Sequence, residues 1–267
     1  MSARAVTLWF IDTDDPAAMI RAGLVNDVTA AGRLATALYG DATLLPVIDT
    51  DLASAMTADD SHVYVGHYGP LSVISCSLFA TERPADLTRT IVGIQPSAAA
   101  AVLLYTDPET GTGTFARWEN GTLKRSFSAT PVDLFDDQGL PEPFERPFWA
   151  GERPLRYAEG AAPDPLALPF HPQQMAEDAN RAWLGFRFTH PLAPTDTDPS
   201  RIPVTGFAIH PADYQPTPDD LARYHSASAR TEPTSEPGPA DIDPDTGLPV
   251  EPRRRGRLAR YFGFGKD

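Results

Sequence analysis

The side chains of this 267-residue chain that could do chemistry are a doubled Glu-Arg-Pro, six histidines, several acidic clusters and one cysteine. The doubled motif lies between Pro141 and Pro154, PEPFERPFWAGERP, where Glu145-Arg146-Pro147 is echoed by Glu152-Arg153-Pro154. Arginine forks suit carboxylate or phosphate ligands. Glu145, Arg146 and Glu152, with Arg153 and Trp149, could therefore line a polar pocket. The plainer reading makes them internal ion pairs that hold a loop in place. Among the histidines His62, His67, His171, His190, His210 and His225, three precede proline: His171, His190 and His210. His171 stands at the mouth of a predicted helix. There it could serve a hydrolase-like or metal-assisted reaction together with strand-end carboxylates such as Asp12 and Asp14. No HxH or HExxH spacing fixes two ligands on one element, so no metal site is predicted. Turn formation and partial burial are the simpler roles for these rings.

The acidic clusters are Asp12/Asp14/Asp15, Asp49/Asp51 and Asp59/Asp60. Carboxylates at strand ends can bind magnesium or calcium, but the same residues cap helices and close turns. Asp241 to Gly247 (DIDPDTG) imitates a calcium loop. Its glycine falls at position seven instead of six, and Pro252 occupies the position that needs a bidentate Glu. Cys76 sits in an apolar run and reads as a buried small hydrophobe, with nothing nearby in sequence to activate it. There is no GxSxG elbow, phosphate-binding loop or dinucleotide fingerprint, so no cofactor is predicted.

These residues must be positioned by strands, two clear helices and one proline-rich loop. Ala5 to Ile11 (AVTLWFI) reads as a buried strand entering an acidic turn, with Asp15 as N-cap and Pro16 at the first helical position. Val28, Ala31, Leu34, Ala35 and Leu38 keep helical spacing up to Gly40. Thr43 to Ile48 is a strand that Pro46 assigns to an edge or a bulge. His62 to Val65 and Leu71 to Phe79 form a hairpin, and residues 84–92 a short helix. Ala98 to Tyr105 is an apolar strand. Asn120-Gly121 joins two further strands in the strongest short hairpin signature, since both residues tolerate positive φ. Four prolines exclude a regular helix from Pro141–Pro154, leaving an ordered loop pinned by Phe144, Phe148 and Trp149. Pro172 then opens an amphipathic helix with Met175, Ala179, Ala182, Trp183 and Phe186 on one face, and Ile202 to Ile209 is the last strand.

Composition bounds the rest. Hydrophobic residues make up 42% of the chain, ample for a core. The formal charge is −14. Residues 251–267 are net positive through Arg253, Arg254, Arg255, Arg257, Arg260 and Lys266, which makes the remainder more acidic still. Such a body is a poor partner for nucleic acid. The basic-aromatic end, with Tyr261 and Phe262, has the ingredients to touch an anionic membrane surface or an acidic partner. Residues 226–256, dominated by Ser, Pro, Glu, Asp and Arg, cannot bury enough apolar surface to order themselves. No secretory h-region and no transmembrane run is found, which predicts a cytoplasmic setting.

PFERPFWAGE (143–152), LPFHP (168–172) and AWLGF (182–186) together resemble a family of uncharacterised actinobacterial proteins, a domain of unknown function. The likeness covers roughly residues 4–210. It implies no activity or ligand, but marks Glu145, Arg146, Trp149, Glu152 and His171 as the residues to watch. The expectation is one α+β domain over residues 1–212, with a mostly antiparallel mixed sheet of about seven strands and packed helices. Residues 213–267 would form a mainly disordered tail. The leading functional expectation is a non-enzymatic domain that binds a protein partner or small ligand. A His171-based enzyme and a tail-tethered membrane-surface protein are the alternatives.

Overall fold

The computed structural model describes residues 5–57, 60–155, 165–220, 222 and 224. The chain divides between Thr231 and Glu232, and everything described belongs to the first part. Asp59, His225, the acidic segment and the basic-aromatic peptide with Arg253 to Arg260 lie outside the described residues.

The strands are β1 (Ala5–Ile11), β2 (Thr43–Asp51), β3 (His62–His67), β4 (Leu71–Ser75), β5 (Ala100–Asp107), β6 (Thr112–Glu119), β7 (Thr122–Ala129), β8 (Leu134–Gly139) and β9 (Pro203–His210). They form one sheet in the order β2-β9-β3-β4-β1-β5-β6-β7-β8, and every neighbouring pair is antiparallel. The fold is α+β as expected, with nine strands instead of about seven and no parallel pairing within the sheet. β8 escapes sequence reading because LFDDQG is polar, and its acids are used by neighbouring side chains. β4 ends at Ser75, and Ser77–Phe79 turn as a 3-10 segment instead of extending the strand. β9 is last in sequence but lies inside the sheet, between β2 and β3.

The helices are α1 (Pro16–Ala22), α2 (Val28–Tyr39), α3 (Thr88–Ile94), α4 (Arg146–Trp149) and α5 (Pro172–Leu184). Asp15 caps α1 by accepting from the Ala18 N–H at 2.9 Å, and Asp27 caps α2 through Ala30 at 3.0 Å. Asn120 and Gly121 both take positive φ in the β6–β7 turn. Pro46 stands at a register shift in the edge strand β2.

Period-two alternation makes β1 the centre of two cores. Ala5, Trp9 and Ile11 face a layer that contains Met175, Ala179 and Trp183 of α5 and Phe148 of α4. Val6, Leu8 and Phe10 face Ala31, Leu34 and Ala35 of α2 and Ile91 and Ile94 of α3. The sheet is thus covered on both sides, which explains why every residue of β1 is buried and all but Thr7 are apolar. Ala182 turns outward and Phe186 lies beyond the helix, past the left-handed Gly185. The working face of α5 is therefore Met175, Ala176, Ala179 and Trp183.

Pro141–Pro154 is an ordered segment, but not a structureless one. A 3-10 turn at Pro143–Glu145 leads directly into α4, with a capping box between Glu142 and Glu145. Proline is excluded from helix interiors, not from first turns, and Pro143 and Pro147 both occupy first-turn positions. Edge-to-face contacts pin the segment: Phe144 on Trp183 at 5.6 Å, Phe148 on Phe170 at 5.6 Å and Trp149 on Phe170 at 4.9 Å.

Beneath these rings Glu145 is fully buried, as is Arg125 of β7 at 1% exposure. Arg125 donates from Nε and Nη2 to the two Glu145 oxygens at 2.8 and 2.7 Å. Its Nη1 reaches the Asp137 carboxylate at 2.6 Å and the Gln138 and Ser126 carbonyls. Glu145 also accepts from the Glu142 N–H at 2.9 Å and the Trp149 indole at 3.2 Å. Removing one partner of such a pair strands a buried charge, so Glu145→Ala should cost about 3–5 kcal/mol. Arg146 is exposed, and Arg146→Ala should stay within about 0.5 kcal/mol of the parent. Urea unfolding of both variants checks this; equal, small losses would mean the pair does not hold the segment.

Candidate functional site

Of the sequence candidates, Glu145 belongs to the buried clamp around Arg125, the exposed Trp149 donates its indole N–H to Glu145 from the rim, and Arg146 is exposed. Glu145 therefore does not line a ligand pocket: all its acceptor capacity is taken by the sheet and by its own turn. His171 and Glu152 have a different fate. They border a polar cleft at the start of α5 made of two adjoining cavities of about 350 and 330 Å³. The first cavity is bounded by Arg153, His171, Gln173, Glu177, Arg187 and His190, among others. The second adds Glu152 and Leu155 and shares the Arg153, His171 and Gln174 walls.

Three segments build this cleft. The chain leaving α4 brings Glu152 and Arg153. Helix α5 brings His171 to Asp178, and the strand-like stretch after Gly185 brings Arg187, Thr189 and His190. The start of α5 is fixed against β6: a Cβ on Gly113 would come within 2.2 Å of the Pro172 carbonyl group and 2.5 Å of the Gln173 nitrogen. Only glycine permits that approach.

His171 occupies the N-cap position of α5 but makes no side-chain cap bond. Gln173, Glu177 and Asn180 follow at one-turn spacing and are 5%, 2% and 2% exposed. Asn180 donates to the Phe186 carbonyl at 2.9 Å. Glu177 accepts from the Phe188 N–H at 2.8 Å and the Thr189 hydroxyl at 3.0 Å. Asp178 faces Arg187 at 3.6 Å and Arg153 at 4.0 Å. The Arg153 guanidinium also lies 5.9 Å from the Phe148 ring centroid.

Three buried polar atoms of this cleft have no hydrogen-bond partner among the described residues: His171 Nδ1, Gln173 Nε2 and Arg187 Nε. Buried polar groups are almost always paired, and each exception calls for a reason. Of seven such atoms among the described residues, three belong to residues that border this one cavity. Sequence reading found His171 and named Arg153, but missed Gln173, Glu177 and Arg187. The available signal was a polar stripe, Gln173-Glu177-Asn180, running beside the apolar stripe of an amphipathic helix. A solvent-facing stripe has the same spacing, so only burial separates the two.

Most of the acidic candidates have partners of their own away from this cleft. Asp12 accepts from the Ala99 N–H at 2.7 Å and from Gln95 at 3.4 Å. Asp14 and Asp15 border a separate cavity beside Arg117 and Trp183, not the one that His171 borders. Asp49 accepts from the Thr205 and Tyr224 hydroxyls at 2.6 and 3.0 Å. Asp51 caps the turn at Ser54. Among the described residues no group of three or more His, Cys, Asp or Glu is gathered closely enough to hold a metal ion. No helix among them is long and apolar enough to cross a membrane.

Burial lowers the His171 pKa and raises that of Glu177, the latter against the pull of its hydrogen bonds and Arg187. Cys76 is 1% exposed, and burial pushes its thiol up to about 11. A thiol so placed is neither accessible nor ionised at neutral pH.

Residues 5–207 match the model of a family of unknown function, DUF6928. No curated protein and no solved structure matches the chain.

Burial at these positions can be measured in two ways. Cys76 should resist a thiol-alkylating reagent in the native protein near neutral pH and react at once in denaturant; rapid native labelling would contradict its burial. His171 is protonated more readily in the unfolded chain than in the folded one. Its contribution to stability is therefore complete above the unfolded pKa of about 6.5 and is lost as pH falls below it. Glu177 acts in the opposite sense, stabilising as pH falls. Arg153, Asp178, Arg187 and His190 are common to parent and variant. His171→Gln should thus lose less stability than the parent between about pH 7 and about pH 5, read from urea midpoints; parallel losses would place the ring in water.

Proposed function

This chain belongs to the DUF6928 family, and from that premise we propose that it is a non-enzymatic binding domain. Its ligand is a small polar molecule held in the cleft at the start of α5. The observation that carries the reading is that three residues with a buried nitrogen unpartnered among the described residues, His171, Gln173 and Arg187, border one cavity of about 350 Å³. That volume suits a small molecule. An unpaired buried donor costs about 1–3 kcal/mol, a cost that a bound ligand removes.

A His171-based enzyme would need a carboxylate free to orient the imidazole or act beside it. Glu177 is engaged by Phe188 and Thr189, Asp178 faces two arginines, and Asp14 borders another cavity. That engagement favours binding over catalysis. The proposal includes a cytoplasmic setting, in keeping with the acidic composition and the single buried free cysteine.

The full chain should show thermal stabilisation with its ligand in a screen of metabolites run with and without chelator. At a hundred times its dissociation constant a ligand adds about 2.7 kcal/mol, roughly 5–10 °C here. Gln173→Leu gives an independent reading. It removes an unpaired buried amide at similar volume, so the ligand-free protein should gain about 1 kcal/mol while losing the ligand response. A destabilised Gln173→Leu would mean that the amide is already paired, and the reading would fall.

A further inference from the structure

The three unpartnered buried atoms of the residues that border the cleft are all nitrogens. Gln173 Nε2 and Arg187 Nε are N–H donors and nothing else. Beside them both Glu177 oxygens accept hydrogen bonds, while the Asp178 oxygens stand 3.6 and 4.0 Å from Arg187 and Arg153. The third open atom, His171 Nδ1, donates in one neutral tautomer. A ligand that pairs Gln173 Nε2 and Arg187 Nε must bring acceptor atoms.

Two guanidinium groups, Arg153 and Arg187, border the cavity together with the Glu177 and Asp178 carboxylates, and Asp178 stands 4.0 and 3.6 Å from the two arginines. The cleft lies at the first turn of the thirteen-residue helix α5, whose positive dipole end favours an anion. The unpartnered, nine-tenths-buried Gln173 amide is the independent sign that the helix end serves a ligand.

We propose that this cleft is an oxyanion site. It holds the carboxylate or phosphate group of a small metabolite between Arg187, Gln173 and His171, while the exposed Arg153, which borders both cavities, approaches from the rim. The inference rests on the binding reading and adds the ligand's chemical class. The adjoining cavity of about 330 Å³ takes the neutral remainder of the molecule, beside Pro154 and Leu155.

The test is an NMR titration of the isotope-labelled full chain with inorganic phosphate and, separately, with succinate, at constant ionic strength set by chloride. Uridine and mannitol serve as neutral probes. Saturable shifts should appear at the Gln173 side-chain amide and the Arg187 Nε–H. Gln173→Glu, which places a negative charge where a donor stood, should weaken binding at least tenfold. Arg153→Gln lies at the exposed rim, leaves folding intact, and should weaken it several-fold. A response to phosphate alone assigns a phosphoryl group, a response to succinate alone a carboxylate, and a response to both the shared anionic oxygens. Shifts at Gln173 and Arg187 produced only by the neutral probes would overturn the oxyanion assignment and leave the binding reading standing. Anion-induced shifts confined to residues 251–267 would overturn the assignment as well. Silence at the cleft with every probe would overturn both.

Discussion

A guanidinium and a carboxylate with no access to water hold the two working parts of this domain together. Arg125 projects from β7 on the same face as Phe127 and Ala129, where period-two alternation calls for an apolar residue. Burying a charge there costs several kcal/mol per ion unless geometry and partners are complete. They are complete: all three guanidinium nitrogens donate, and Glu145 takes both arms of the fork plus two further N–H groups. Such a pair adds less to stability than to uniqueness. Only one seating of the segment on the sheet leaves neither charge stranded.

That seating sets the course of the chain up to α5. Once Glu145 is fixed, the capping box orients α4, and Phe148 and Trp149 close over Phe170. Phe170 immediately precedes His171, so the clamp that locates α4 also locates the entry to α5 from one side. Gly113 locates it from the other by letting β6 pass directly beneath the first turn. Glu152-Arg153-Pro154 then falls where Arg153 can border the cleft. The two Glu-Arg-Pro copies within Pro141–Pro154 thus do different work: Glu145-Arg146-Pro147 supplies a buried structural carboxylate, Glu152-Arg153-Pro154 a solvent-edge cation.

The cleft is polar where the rest of the α5 interface is apolar, and the contrast is informative. Elsewhere on this face Met175, Ala176, Ala179 and Trp183 fill the space against the sheet. At the helix start the same side of the molecule carries Gln173 and Glu177, with Arg187 and His190 opposite. A chain under selection only for stability would have apolar residues there, because unpaired buried donors lower it. Sites that bind ligands are where local rules of good packing are broken.

By itself the sequence determined what short-range physics controls. The apolar run of β1, the Asp15 and Asp27 caps, the Asn120-Gly121 turn and the Pro46 irregularity all arise from residues within a few positions of one another. So did the aromatic anchoring of Pro141–Pro154, since large apolar rings have little alternative to burial. Tertiary structure decided the rest. It placed β9 between β2 and β3 and recruited the polar β8 to the sheet by giving Asp136 and Asp137 partners on β7. It also separated Glu145 from Arg146, neighbours with opposite fates, and turned Gln173 and Glu177 inward. A charged or amide side chain reads the same in sequence whether it meets water or a buried partner. Its role is set by which distant atoms reach it, and that depends on the packing of the whole sheet and its covering layers.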